Sequence, residues 1–150
     1  MVPAQETRMG ASQRNKGHAF EREVAIAFRE ALGLDATEVK RGLSQPRGGT
    51  GEEPDVVLPD SLPYWVECKV GARPNPMAAM EQARKGVAKA KSPKRPLVVA
   101  KQDRKEPVVV MDLNEFLRLL AVVENKPGPW LICVEKKPTH ASAGKRRASP

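Results

Sequence analysis

Three side chains in "PDVVLPDSLPYWVECK" (residues 54–69) carry the chemistry that this chain can offer: Asp55, Glu67 and Lys69. Each lies in or beside an apolar, strand-like run, DVVL or YWVECK, where burial alone would select uncharged residues. Side chains alternate across a strand, so Glu67 and Lys69 share a face while Val66 and Cys68 take the other. The PDSLP turn between the runs predicts a hairpin, which brings Asp55 near Glu67 across the pair. Carboxylates a few ångströms apart repel unless a cation lies between them. All-oxygen ligands suit Mg²⁺, with Mn²⁺ able to substitute, and Mg²⁺ uses one or two carboxylates plus water and substrate phosphate. A lysine beside such a centre can orient or deprotonate water, or offset charge that builds on a phosphate. Two acids and a lysine on a basic protein describe phosphodiester hydrolysis. The same residues on an edge hairpin would form only a solvated ion pair, but Tyr64, Trp65 and the neighbouring valines argue for a central strand.

The charge balance points to the same substrate class. Of 150 residues, 40% are hydrophobic and 29% charged, and the net charge is +8. Residues 84–105 hold nine Lys or Arg against one acid, Asp103, and residues 136–150 add five more basic residues and no acid. Clustered cations gain free energy by releasing phosphate counterions, so a nucleic acid is the expected partner. No apolar run approaches membrane-spanning length and the first residues lack the apolar core of a secretion signal, so a cytoplasmic protein is expected. Cys68 and Cys133 are too isolated for a zinc site or a disulfide framework, and His18 and His140 give no histidine-based centre.

The elements that must position these residues read as a mixed α/β domain. Residues 1–15 are polar and aperiodic and are expected to be a disordered arm, followed by a domain over 16–135 and a flexible basic tail over 136–150. Apolar residues at Phe20, Val24, Ala27, Phe28, Ala31 and Leu32 predict an amphipathic helix from Lys16 that stops at Gly33. A short strand over 37–41, a Gly- and Pro-rich loop, and the hairpin strands over 55–58 and 64–70 follow. Asn75 and Pro76 have the N-cap and first-turn chemistry of a second helix, with a stripe through Met77, Met80, Ala83, Val87 and Ala90. Strands over 96–101 and 107–113 come next. Asp112 with Glu115 predicts a capping box for a helix through Leu113, Phe116, Leu117 and Leu120, and 130–136 predicts a last strand.

"PDVV" followed by "VECK" resembles the PD-(D/E)xK nuclease signature, and "KGHAFEREVAIAF" is similar to the first helix of archaeal-type Holliday junction resolvases. The likeness covers residues 16–111. It implies a restriction-endonuclease-like core with a mixed central sheet flanked by helices, a homodimer, Mg²⁺ dependence, and paired nicks across four-way DNA junctions. It further implies that Asp55, Glu67 and the first-helix Glu21 bind metal, that Lys69 is the catalytic lysine, and that Arg22, Lys16 and a loop arginine, Arg47 or Arg41, meet DNA. Gln82 is similar to a glutamine found in other branches of the superfamily. On residues alone, Glu21 reads as a solvated helical acid at the margin of the apolar stripe, and Gln82 as an ordinary polar position. A restriction, repair or replication nuclease keeps the same core with a different substrate. A non-catalytic basic nucleic-acid-binding module is the remaining alternative, although such a module gains nothing from carboxylates where phosphate must lie.

Overall fold

The computed structural model describes residues 4–42 and 52–124, with side chains from Gly10 onward. Helix α1 (Ala4–Leu32) is followed by β1 (Lys40–Arg41), β2 (Val56–Val57), β3 (Tyr64–Gly71), α2 (Pro76–Lys89), β4 (Arg95–Gln102), β5 (Val108–Val110) and α3 (Leu113–Val123). The five strands form one sheet in the order β1-β2-β3-β4-β5. Only β3 and β4 are parallel, joined through α2, and the other neighbours are antiparallel. This is the expected α/β architecture, and it places β3 at the centre of the sheet rather than on an edge. Residues up to Met111 form one compact unit and residues from Asp112 belong to a second, which contributes α3.

Alternation along β3 assigns its two faces. Tyr64, Val66, Cys68 and Val70 pack with Phe20, Val24 and Ala25 of α1, together with Val39, Val56, Leu58, Leu97 and Val99. On the opposite face, Ala79 and Met80 of α2 pack with Val98 and Ala100. The sheet is therefore sandwiched between one helix and the other, and burial of both β3 faces makes any polar group on it costly unless it is partnered.

Several boundaries differ from those expected. Helix α1 begins at Ala4, so residues 4–15 are helical rather than disordered. Their Ala, Gln, Glu, Arg and Met content favours a helix, but they lack the apolar stripe on which the Lys16 start was based. Within α1 the buried face runs through Phe20, Val24 and Ala25, while Ala27 and Leu32 are exposed. Gly33 does end α1: its positive φ of 65° lets Leu34 N–H reach the Arg29 carbonyl at 3.0 Å, closing the last turn. Asn75 caps α2 as expected, accepting from Ala78 N–H at 3.0 Å with Pro76 at the first position. The inward face of α2 is Ala79, Met80, Ala83 and Gly86, and Met77 is exposed. Asp112 stands at the N-cap of α3, but its side chain makes no capping hydrogen bond, so the predicted capping box is not formed. The strand expected over 130–136, the basic tail and Arg47 lie outside the described residues.

Candidate active site

The hairpin turn sets the register on which the site depends. Leu62 N–H bonds the Pro59 carbonyl at 3.0 Å, and the Lys94 ammonium reaches from the start of β4 to the Leu58 carbonyl at 2.6 Å. Lys94 is thus a structural tie beneath the turn, not a free cation of the basic run. Val56 then pairs with Val66, and continuing that antiparallel register puts Asp55 opposite Glu67. Asp55 Oδ2 accepts from the Cys68 backbone N–H at 2.8 Å, so a carboxylate oxygen takes the place of a ladder carbonyl and is fixed against β3. Gly42 holds the other side of Asp55. Its N–H donates to the Asp55 carbonyl at 2.8 Å, and a Cβ at Gly42 would lie 2.0 Å from the Pro54 carbonyl oxygen. Only glycine allows the chain to pass that closely.

Glu67 is 6% exposed, on the α2 face of the central strand. Trp65 Nε1–H donates to Glu67 Oε1 at 2.9 Å, and Gln82 Nε2–H donates from α2 to Glu67 Oε2 at 3.4 Å. Trp65 is in turn positioned by Gly86, where a Cβ would come within 3.0 Å of the indole Cζ2. Gly86, Trp65 and Glu67 therefore form a continuous stack from helix to carboxylate. Burial first, and then the negative charge of Asp55, push the Glu67 carboxyl up from 4.5 to about 8. The Trp65 hydrogen bond acts in the opposite direction, while a hydrogen bond shared with Asp55 and the charge of Glu52 add to the rise. The pair holds a proton near neutrality because it cannot comfortably hold two charges. A divalent cation relieves the same repulsion, and the all-oxygen donor set of Asp55 and Glu67 fits a hard cation that retains waters.

Lys69 lies one alternation beyond Glu67 on the same face and is exposed. The strand thus brings together Asp55, Glu67 and Lys69, the three residues with which the chemistry began. Cys68, between the last two, faces α1. Burial, with the charges of Asp55, Glu21 and Glu67, pushes its thiol up, so it stays protonated and unreactive.

The other residues singled out in the sequence are placed elsewhere. Glu21 Oε2 accepts from Arg41 Nη1 at 3.2 Å, and the same guanidinium nitrogen contacts His18 Nδ1. Arg41 and Glu21 thus satisfy each other across α1 and β1. Among the described residues no group of three or more His, Cys, Asp or Glu side chains converges on one point, so Glu21 is not gathered with Asp55 and Glu67. Lys16 pairs with Asp103 and lines a separate cleft of about 400 Å³ with Phe20, Glu23, Lys101 and Arg104. Arg22 is exposed on α1. Trp65 and Gly86 are the positions that sequence reasoning missed. Trp65 was read only as an apolar strand residue, although its spacing of two from Glu67 puts both on one face.

No helix among the described residues is long and apolar enough to cross a membrane. Neither the curated proteins nor the solved structures give a match to this chain. A family model described as "Phage putative PDDEXK endonuclease" matches residues 12–133, a span that contains β1 to β5, α2 and α3 as well as Asp55, Glu67 and Lys69. The match identifies the nuclease superfamily and carries no junction specificity. Nucleases of the PD-(D/E)xK type generally use divalent metal ions, and DNA is the substrate the family indicates. On a match covering well over half of its length, this α/β chain belongs to the phage PDDEXK endonuclease family.

Proposed function

We propose that the chain is a Mg²⁺-dependent DNA endonuclease selective for branched DNA, four-way junctions foremost, working as a homodimer. The observation that carries the hydrolytic reading is buried Glu67 with half-buried Asp55 opposite it on the central hairpin, and exposed Lys69 on the Glu67 face. Asp55 and Glu67 would hold the divalent ion, Asp55 with Oδ2 anchored on Cys68 N–H and Glu67 between Trp65 and Gln82. When bound, the ion polarises a phosphoryl oxygen and acidifies a bound water. Lys69 offsets the charge that grows on the phosphate as water attacks phosphorus and the bond to the departing sugar oxygen breaks. Arg22 and Arg47 are the arginines proposed to contact DNA phosphates.

Junction preference is supported by the first-helix sequence KGHAFEREVAIAF and its likeness to archaeal-type resolvases. Resolution needs two symmetric cuts, which a C₂ dimer supplies from one gene product. Exposed Met77 on α2 and the apolar residues of α3 are the interface material proposed, whereas Met80 is committed to the core.

The test is a cleavage panel of four-way junction, flap, nicked, single-stranded and duplex DNA, with Mg²⁺, Mn²⁺ or chelator. Paired nicks in the junction, lost with chelator and in Asp55→Asn, Glu67→Gln and Lys69→Ala, are expected, with DNA binding retained. Preferential cutting of another DNA would assign a restriction, repair or replication nuclease. Binding without cleavage of any DNA would leave only the binding-module reading. Sedimentation showing a monomer both free and on junction DNA would remove the dimer.

A further inference from the structure

Gln82, Lys85 and Lys89 recur along α2 at the three- and four-residue spacing that puts side chains on one side of a helix. With Glu52, Ala78, Glu81 and Gly86 they line a groove of about 460 Å³. One end of the groove is the proposed catalytic site, because Gln82 is the side chain that donates to Glu67. Towards the other end, the Lys89 ammonium is ion-paired with Glu52. Lys85 is largely exposed and lies 3.9 Å from Glu81, a solvent-facing contact of little strength. Gly86, between these cations, adds no side chain to the groove, and Ala78 beyond Gln82 adds only a methyl group.

We infer that this groove seats the phosphodiester backbone of the DNA strand flanking the scissile bond, Lys85 and Lys89 each taking one phosphate. Glu52 stands in for a phosphate on Lys89 until DNA displaces it. The inference rests on the endonuclease reading and gives it a direction, with the strand leaving the carboxylates along α2. The dimensions agree: seven residues of helix from Gln82 to Lys89 span roughly 10 Å, about three nucleotides at 3.4 Å each. A carboxylate and a phosphate offer an ammonium the same acceptor chemistry, and the exposed Glu52–Lys89 pair costs little to exchange. Scattered surface charge explains less, because it does not account for an aligned pair that begins beside the site. Other cations of the basic run are already committed, Lys94 to the hairpin turn and Lys101 to Glu23 at 2.8 Å. Exposed Lys91, just past the end of α2, is no part of the groove lining.

The full chain without divalent ions, so that nothing is cut, binds fluorescently labelled four-way junction and duplex DNA in an anisotropy titration at a series of KCl concentrations. Each phosphate contact contributes about 0.9 to the slope of log affinity against log salt, so Lys85→Gln with Lys89→Gln flattens it by about 1.8. Glu52→Gln frees Lys89 and tightens binding at low salt by about two- to five-fold, the size of a surface charge effect. Lys91→Gln leaves the slope unchanged. A slope unmoved by the double substitution, an equal loss in Lys91→Gln, or weaker binding in Glu52→Gln overturns the groove. Those outcomes leave the endonuclease reading intact if the wild type still cleaves DNA with Mg²⁺; a wild type that neither binds nor cleaves removes both.

Discussion

Replacing Glu67 by glutamine should make the metal-free protein more stable, not less, at neutral and alkaline pH. In the folded chain the Glu67 carboxyl titrates at about 8 rather than 4.5. The native state therefore binds more protons than the unfolded state between those values, and stability falls as pH rises across that window. The contribution is fully present below pH 4.5 and fully lost above about pH 8. At pH 7 the unfolded glutamate is ionised while the folded one is mostly protonated, so proton uptake over some 2.5 units costs about 3 kcal/mol. Glutamine carries no such cost. Its carbonyl oxygen still accepts from Trp65, and its amide can donate to Asp55 as the protonated acid does.

The assay is urea unfolding of wild type and Glu67→Gln in chelator from pH 4.5 to 8.5. The two curves should nearly coincide at the acid end and separate steadily with pH. With a urea dependence of about 1–3 kcal/mol per molar, 3 kcal/mol moves the midpoint by roughly 1–3 M at pH 7. Mg²⁺ should then raise the wild-type midpoint, since a ligand that binds only the folded state stabilises it, and should leave Glu67→Gln almost unmoved. A variant less stable than wild type at pH 8, or a difference that does not vary with pH, would refute the account of the carboxyl pair.

Trp65→Phe removes the donor to Glu67 Oε1, a bond that holds the carboxyl down; the acid limb of the pH–rate profile should move to higher pH, with a stability loss of about 1–3 kcal/mol for the unpaired acceptor. Gly86→Ala sets a methyl 3.0 Å from the indole, so denaturant unfolding should show a loss of about 1–3 kcal/mol from overpacking. Cleavage should fall in Gly86→Ala at equal folded fraction and by less in a Trp65→Phe background, since the two act through one ring. Gly42→Ala meets a backbone oxygen rather than a movable side chain; it should lower both the midpoint and the cleavage rate, and wild-type cleavage in the folded variant would show that Gly42 does not fix Asp55.

The parts of this molecule legible in the sequence are those where one local rule dominates. Asn75–Pro76 reads as a helix start because capping and a missing N–H act within one turn, and the hairpin reads from its turn and its period of two. Asp55 and Glu67 meet because that hairpin is local. On residues alone Gln82 was an ordinary polar position, singled out only by its likeness to a superfamily glutamine, since its reach to Glu67 depends on how closely α2 sits on the sheet, and the absence of a side chain at Gly86 allows that approach. Long-range partnerships were equally hidden. Nothing in the spacing of His18, Glu21 and Arg41 reveals that one guanidinium serves both helix residues. The polar opening of α1 was missed because polar sequence carries no periodic signal, whatever its helix propensity.

The residues that broke the local rule are the ones to which the proposed chemistry is assigned. A valine or isoleucine at position 67 would pack against α2 without a desolvation cost, whereas the chain buries a carboxylate there, opposite another. It then surrounds that carboxylate with two donors that ease its burial without neutralising its charge. Donors of this kind leave the remaining oxygen lone pairs and the residual negative potential available to a cation, which an ion pair with lysine or arginine would have quenched. The contrast within the fold is direct. Glu21 meets a guanidinium and Glu23 an ammonium, while Glu67 meets an indole and an amide. A surface salt bridge, the reading that a binding module requires, would have placed Lys69 on Glu67; among the described residues no such pair is formed, and Lys69 is exposed beside it, where the proposed hydrolysis needs a cation.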